Sequence, residues 1–246
     1  MAQMSKKEIQ KQDSELLARR ALQVQRGAAR AAVLGVNDGL VSILCIVLGV
    51  AGAGASMHSV LLAGFAGLIA GAVSMAAGEW ISVQSQVELF RGILKDLRGL
   101  IANDRELLTE QIANKLSDSG HGDKTAQTAA AEISRNDDHL QEVYASQVMG
   151  FNPDELGSPW TAAISSFLLF SLGALAPLAP WFFVGGTTGI IWATALTAGA
   201  SLIVGGYIGS TSGSGKVYAA VRQFLIVLFA AAVTYGIGYL FGTAVG

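Results

Sequence analysis

The sequence predicts an all-α membrane protein: five transmembrane helices, with a cytoplasmic helical bundle inserted between the second and third spans. Three observations carry this expectation. First, 52% of the 246 residues are hydrophobic and only 14% are charged, which is too apolar for an ordinary soluble domain of this length. Second, five stretches reach the roughly 20 apolar residues that a spanning helix needs: 31–55, 60–83, 160–183, 187–208 and 224–245. Third, all 16 Lys and Arg residues fall in three segments: before the first span, between the second and third, and just before the fifth. Five spans put those three segments on one side, and the bias of Lys and Arg makes that side cytoplasmic. The C-terminus then lies opposite. The implied organisation is a leader over 1–30, a transmembrane hairpin over 31–84, a cytoplasmic helical domain over 85–158 and the remaining spans over 159–246.

The leader reads as a helix. Ser5 and Glu8 have capping-box spacing. Ile9, Leu16, Leu17 and Leu22 can share a face opposite Lys and Arg, the pattern of a helix lying on a membrane surface. A solvated leader that only sets orientation fits the same residues. No apolar signal-peptide core precedes the first span.

In the first span, Gly35, Asp38, Ser42, Cys45, Gly49 and Gly52 recur at three- and four-residue steps, which gathers small and polar groups on one helix face. Close helix packing explains the glycines but does not call for Asp38. A carboxylate at the centre of a span costs roughly 2.5–3.5 kcal/mol on the insertion scale. In the second span Gly67, Gly71, Met75 and Glu79 follow at steps of four. GxxxG alone signals helix association. Thioether and carboxylate one turn apart form a donor pair for a transition metal of intermediate softness. Asp38 lies about 10 Å, and Glu79 roughly 6 Å, inside the cytoplasmic ends of their spans at 1.5 Å per residue, so both acids are expected near one level. There they would share a divalent cation or protons. The candidate path is therefore Asp38, Met75 and Glu79, lined by Ser42 and Gly71. An interfacial Glu79 beside Trp80 is the alternative.

The inserted segment 85–157 holds 13 acidic and 7 basic residues and reads as helices. One continues span two over 87–101. A second covers 104–117, with Leu107, Leu108, Ile112 and Leu116 on one side and Gly120 as its stop. A third covers 124–134. A fourth covers 137–149, with Leu140, Val143, Tyr144 and Val148 inward and Gly150 as its stop. Glu106 and Glu110 are its clearest i,i+4 acidic pair; a solvated face is the default reading for them, and a second metal site is the alternative. Pro177 and Pro180 should kink or end the third span, Trp160 and Trp181 should mark its two interfaces, and 205–216 reads as a Gly/Ser turn. Arg222 can snorkel at the start of the fifth span.

These motifs resemble the vacuolar iron transporter family. The resemblance rests on Gly35–Val36–Asn37–Asp38–Gly39–Leu40–Val41–Ser42, on Gly71–Ala72–Val73–Ser74–Met75–Ala76–Ala77–Gly78–Glu79, on Ser158–Pro159–Trp160 with Ala162–Ala163–Ile164–Ser165–Ser166–Phe167, and on Ala230–Ala231–Ala232–Val233–Thr234–Tyr235. It implies a homodimer with a path between subunits, exchanging cytoplasmic Fe²⁺, or a related ion such as Mn²⁺, for protons. It implies no tightly bound cofactor. Asp38, Met75 and Glu79 match family positions associated with the path. Where the family repeats Glu after span two, this chain has Gly92–Ile93–Leu94–Lys95–Asp96–Leu97–Arg98–Gly99–Leu100, a degenerate form of the family's metal-capturing domain.

Other classes are disfavoured. His58, His121 and His139 are scattered and no nucleophile constellation or phosphate loop is present, so no enzyme is expected. A net charge of −2 gives no nucleic-acid footprint. The alternative from another class is a non-transporting dimeric membrane protein whose cytoplasmic domain recruits a partner.

Overall fold

The structure, a computed structural model, describes residues 27–150 and 157–245. Among them every regular element is helical: α1 Gly27–Gly52, α2 Met57–Asp118, α3 Asp123–Ile133, α4 Asp137–Val143, α5 Pro159–Leu178, α6 Gly186–Ser212 and α7 Lys216–Val245. The helix expected over 1–30 lies, up to residue 26, outside the described residues. Five helices are long and apolar enough to cross a membrane. The chain divides into two units, Met1–Trp80 with Pro159–Gly246, and Ile81–Ser158.

In the first unit α1 is the central helix, flanked by α5, α6 and α7. Apolar helices gain little hydrophobic drive from meeting each other in lipid, so close packing between small residues must hold them. The seams have that character. A Cβ at Gly39 would stand 2.1 Å from the Phe170 carbonyl oxygen, and one at Gly173 would stand 2.1 Å from that of Val36. Gly238 meets the Gly49 carbonyl oxygen at 2.0 Å in the same sense. Thus α1 touches α5 and α7 backbone to backbone. By contrast α2 meets its neighbours through side chains: Gly64 receives Leu178 and Val47, Gly67 receives Ile46, and Gly71 receives the Phe170 ring.

Two details of this unit depart from the sequence reading. Residues 205–212 are helical, and the turn is confined to Gly213 and Gly215, both at positive φ. Gly205 and Gly209 are there because α7 crosses close by, against Ala219, Ala220 and Lys216. Trp181 is 1% exposed within the apolar core rather than an interfacial anchor, because the absent side chain of Gly189 leaves room for its ring. Trp160, at 68% exposed, is free to act as one. Pro177 sits in the last turn of α5, and a short 3-10 helix, Ala179–Phe182, follows. Arg222 lies over the Tyr218 ring, 5.8 Å from its centroid.

The second unit is a small bundle. Within α2 the backbone leaves helical geometry at Asp104 (φ −135°, ψ 42°), where the sequence places the start of a new helix. Leu97, Ile101, Leu108, Ile112, Leu140 and Tyr144 form its core; burying each large apolar side chain contributes roughly 1.5–3 kcal/mol. Leu107 is not among them. It is 51% exposed, since neighbouring positions on a helix differ by about 100° and Leu108 takes the inward place. Arg105 ties the turn between α3 and α4, donating to the Ser134 carbonyl oxygen and to Asp137. Asn136 caps α4 by accepting from the His139 N–H at 3.0 Å. Gly120 and Gly150, at φ 95° and 79°, end their helices as expected.

Candidate transport path

Helix geometry fixes where Asp38 points. Gly35 and Gly39 face α5, against Leu169 and Phe170. Asn37 faces α7, where its Oδ1 accepts a hydrogen bond from Gln223 Nε2. At about 100° per residue, Asp38 lies between those two gripped sides. Among the described residues none covers it, and its side chain is exposed. One turn further on, Ser42 Oγ donates to Asp38 Oδ1 at 2.8 Å. That bond leaves the second carboxylate oxygen open and aims the group along the uncovered face.

On α2, Met75 is partly buried against the apolar core that contains Ile43 and Phe170, and Glu79 is half-buried one turn beyond. Trp80 next to it meets Trp160 edge-on, with centroids 5.9 Å apart. Gly71 stands against Phe170, so that position serves packing, whatever else it lines.

The register of the antiparallel helices follows from the glycine contacts. Gly64 stands at Val47 and Gly67 at Ile46 and Ile43. Continued along the helices, this puts Met75 within a turn of Asp38, and Glu79 on the order of 10 Å nearer the N-terminal end of α1. The common level expected for the two acids is therefore replaced by a staircase with Met75 between them. Side chains lean toward the N-terminus of their own helix, so the two carboxylates lean toward one another along the axis. Around the axis they do not converge. Ile43 and Val47, which meet α2, lie about 140° and about 180° around α1 from Asp38, and Ile46 about 80°, so α2 packs mainly on faces of α1 other than the one that carries Asp38. Within one chain Asp38 is turned away from Glu79.

Glu106 and Glu110 are exposed and line a surface groove of ≈620 Å³ together with Asp104 and Arg105. Among the described residues no group of three or more His, Cys, Asp or Glu side chains comes together to hold a metal ion.

A family model, the VIT family, matches residues 29–239, a stretch that contains all the candidate path residues. The chain belongs to the VIT family. It is 32% identical over 215 residues to "Vacuolar iron transporter homolog 1" of Arabidopsis thaliana, covering 87% of this chain and 83% of the relative. It is 30% identical over 216 residues to "VIT-like transporter 1b" of Glycine max (87% and 76%). It is 30% identical over 221 residues to "Vacuolar iron transporter" of Acanthamoeba castellanii (87% and 78%). The VIT-family chain is thus an integral membrane protein with five candidate spans.

Two polar residues of the VIT-family core escaped the sequence reading. Gln223 is only 7% exposed and reaches Asn37. Ser166 is fully buried, and its Oγ has no hydrogen-bond partner among the described residues. A polar residue in an otherwise apolar helix is the one signal that could have marked them.

Proposed function

We propose that this protein moves a divalent transition metal, Fe²⁺ or Mn²⁺, out of the cytoplasm in exchange for protons, along a path formed between two copies of the chain. The observation that carries the reading is the uncovered Asp38, hydrogen-bonded to Ser42 on an apolar helix of a VIT-family chain. A carboxylate facing lipid is costly, and a second copy across that face removes the exposure. The outer face of α2 supports the same partner: Ala66, Ala70, Ser74 and Gly78, at steps of four, are all exposed, a small-residue stripe suited to close helix approach.

Two copies would double the donors to two each of Asp38, Met75 and Glu79. Carboxylate oxygen with thioether sulfur suits a metal of intermediate softness better than it suits Mg²⁺ or Ca²⁺. Metal binds these carboxylates only when they are deprotonated, so protons arriving from the far side displace it, and the two flows couple. Glu79 would receive the ion nearer the cytoplasm, and Asp38 would pass it on. The unit over 81–158 would stand in the cytoplasm, with Glu106 and Glu110 as an outlying, weak capture site.

The test is metal flux in proteoliposomes under an imposed pH step, with Fe²⁺, Mn²⁺, Co²⁺ and Zn²⁺. Asp38→Asn should abolish metal-dependent proton movement, and full retention of it would refute the assignment. A second reading, recruitment of a partner by the inserted unit with no transport, draws on the ≈430 Å³ groove there, lined by Arg91, Lys95, Arg98, Asp138, Gln141 and Glu142. Wild-type protein that moves none of the four metals would favour it.

A further inference from the structure

We infer that Gln223 is a positioning residue for the path: through Asn37 it sets the rotation of α1, and so the direction in which Asp38 points. The inference rests on the reading of Asp38 as a path residue.

Among the described residues of the apolar unit, four polar side chains are buried: Ser166, Thr197, Ser201 and Gln223. Thr197 and Ser201 satisfy themselves within their own helix, donating to Ala193 O and Ala198 O. Ser166 has no partner among the described residues. Gln223 alone of the four reaches a side chain on another helix, and that side chain is Asn37, the neighbour of Asp38. Gln223 cannot swing aside easily. On its other flank stands Gly205 of α6, where an added Cβ would already lie 3.0 Å from Gln223 Cβ. In a bilayer a broken amide pair finds no water to replace it, so the pair is held more firmly than its surface counterpart.

The remaining contacts of α1 near Asp38 do not define its rotation in the same way. Gly35 and Gly39 face α5 without any side-chain hydrogen bond of their own, so that contact fixes how close the helices come and adds no directional bond. The amide pair is directional. It stands roughly opposite the glycines around the helix, since Asn37 and Gly39 differ by about 200°. One side of α1 therefore sets distance and the other sets angle, with Asp38 on the open face between them. A roll of α1 would carry Asp38 toward α5 or α7 and off that face.

The test uses the full chain in liposomes. In a Cys45→Ala, Asp38→Cys background, which has a single thiol because Cys45 is the only native one, the labelling rate at position 38 by a charged methanethiosulfonate is measured. Gln223→Leu should slow it about tenfold, the scale of stranding one buried amide. The exchange Asn37→Gln with Gln223→Asn keeps both amides and the total side-chain length, and should recover most of the rate. In chains that keep Asp38, the same two variants should lose and recover maximal Mn²⁺ flux in parallel. If Gln223→Leu does not stay monodisperse, Gln223→Asn alone serves as the disrupting variant, and its labelling should be slowed and then rescued by Asn37→Gln. Unchanged labelling in the disrupting variant, or no recovery in the exchanged one, overturns the inference. Labelling that depends on Gln223 while Asp38→Asn retains flux would instead keep the positioning role and remove the transport reading.

Discussion

The carbonyl oxygen of Phe170 lies where the side chain of any residue but glycine at position 39 would begin: 2.1 Å from the ideal Cβ. The same phenylalanine turns its ring onto Gly71, with Cζ 2.3 Å from the ideal Cβ there. One residue of α5 thus fills two glycine notches, one on each helix that carries a candidate path acid.

These two notches should respond differently to added bulk. Gly39→Ala meets backbone, which cannot yield without moving α1 from α5. Gly71→Ala meets the end of a side chain. Both should lower thermal stability in detergent, Gly39→Ala more, by about 1–3 kcal/mol for an overpacked site. Phe170→Leu should restore Gly71→Ala but not Gly39→Ala. Melting curves of the four variants decide it, and equal rescue of both would contradict the geometry.

Gly78 provides the opposite case. Among the described residues, no atom beyond its own stretch of helix lies within 4 Å of a Cβ placed there, so Gly78→Leu should leave the fold of one chain intact. If a second copy packs on the Ala66–Gly78 stripe, the same change should shift the protein from dimer to monomer. Mass photometry or sedimentation in detergent reads the shift; an unmoved dimer would assign the interface elsewhere.

Ser42→Ala removes the hydroxyl that holds Asp38 at 2.8 Å. Hydrogen bonds to charged groups contribute about 1.5–3 kcal/mol, less where solvent reaches them. Metal flux should fall about three- to tenfold without loss of expression. Ser42→Thr keeps the hydroxyl and should retain most of the flux. A Ser42→Ala variant with wild-type flux would show that the bond does no work in transport.

Gln141 is the buried link of the second unit: its Oε1 accepts from Arg98 Nε at 2.9 Å and its Nε2 donates to Leu94 O at 2.8 Å. Gln141→Leu strands both partners and should destabilise that unit by about 1–3 kcal/mol. Proteolytic nicking within 81–158 should accelerate while the apolar unit keeps its melting point. Coupled loss of both would mean that the two units unfold as one.

Glu106→Gln with Glu110→Gln should leave maximal flux unchanged and raise the half-saturating metal concentration by no more than about threefold, because two exposed carboxylates without a third donor hold a divalent ion weakly. A collapse of maximal flux would instead give the pair a direct part in the path.

What could be read from the letters alone was whatever depends on period and composition. The five apolar spans and the helix break at Asp104 follow from hydropathy and capping chemistry, and Asp38 and Glu79 stand out because they are the only acids in the spans 31–55, 60–83, 160–183, 187–208 and 224–245. Side-chain direction was harder. Trp181 was expected at an interface because tryptophan often sits there, yet the missing side chain of Gly189 opens a hole that takes its ring. Residues 205–212 looked like a turn because glycine is ambiguous: it breaks helices in water and seats neighbouring helices in lipid. The facing of Asp38 depends on Gln223, which stands 186 positions away. No local pattern encodes such a pair.

The glycine seams of the apolar unit also divide its helices by how much play they have. Where backbone rests on backbone, as between α1 and α5 at Gly39 and Gly173 and between α1 and α7 at Gly238, there is no compliant material to compress, and the three helices form a chassis. The second helix is hung on that chassis by the ends of Ile46, Leu178 and Phe170, which can change rotamer. A gate that opens and shuts would take its stroke there, with Met75 and Glu79 riding on the mobile rail and Asp38 fixed to the frame.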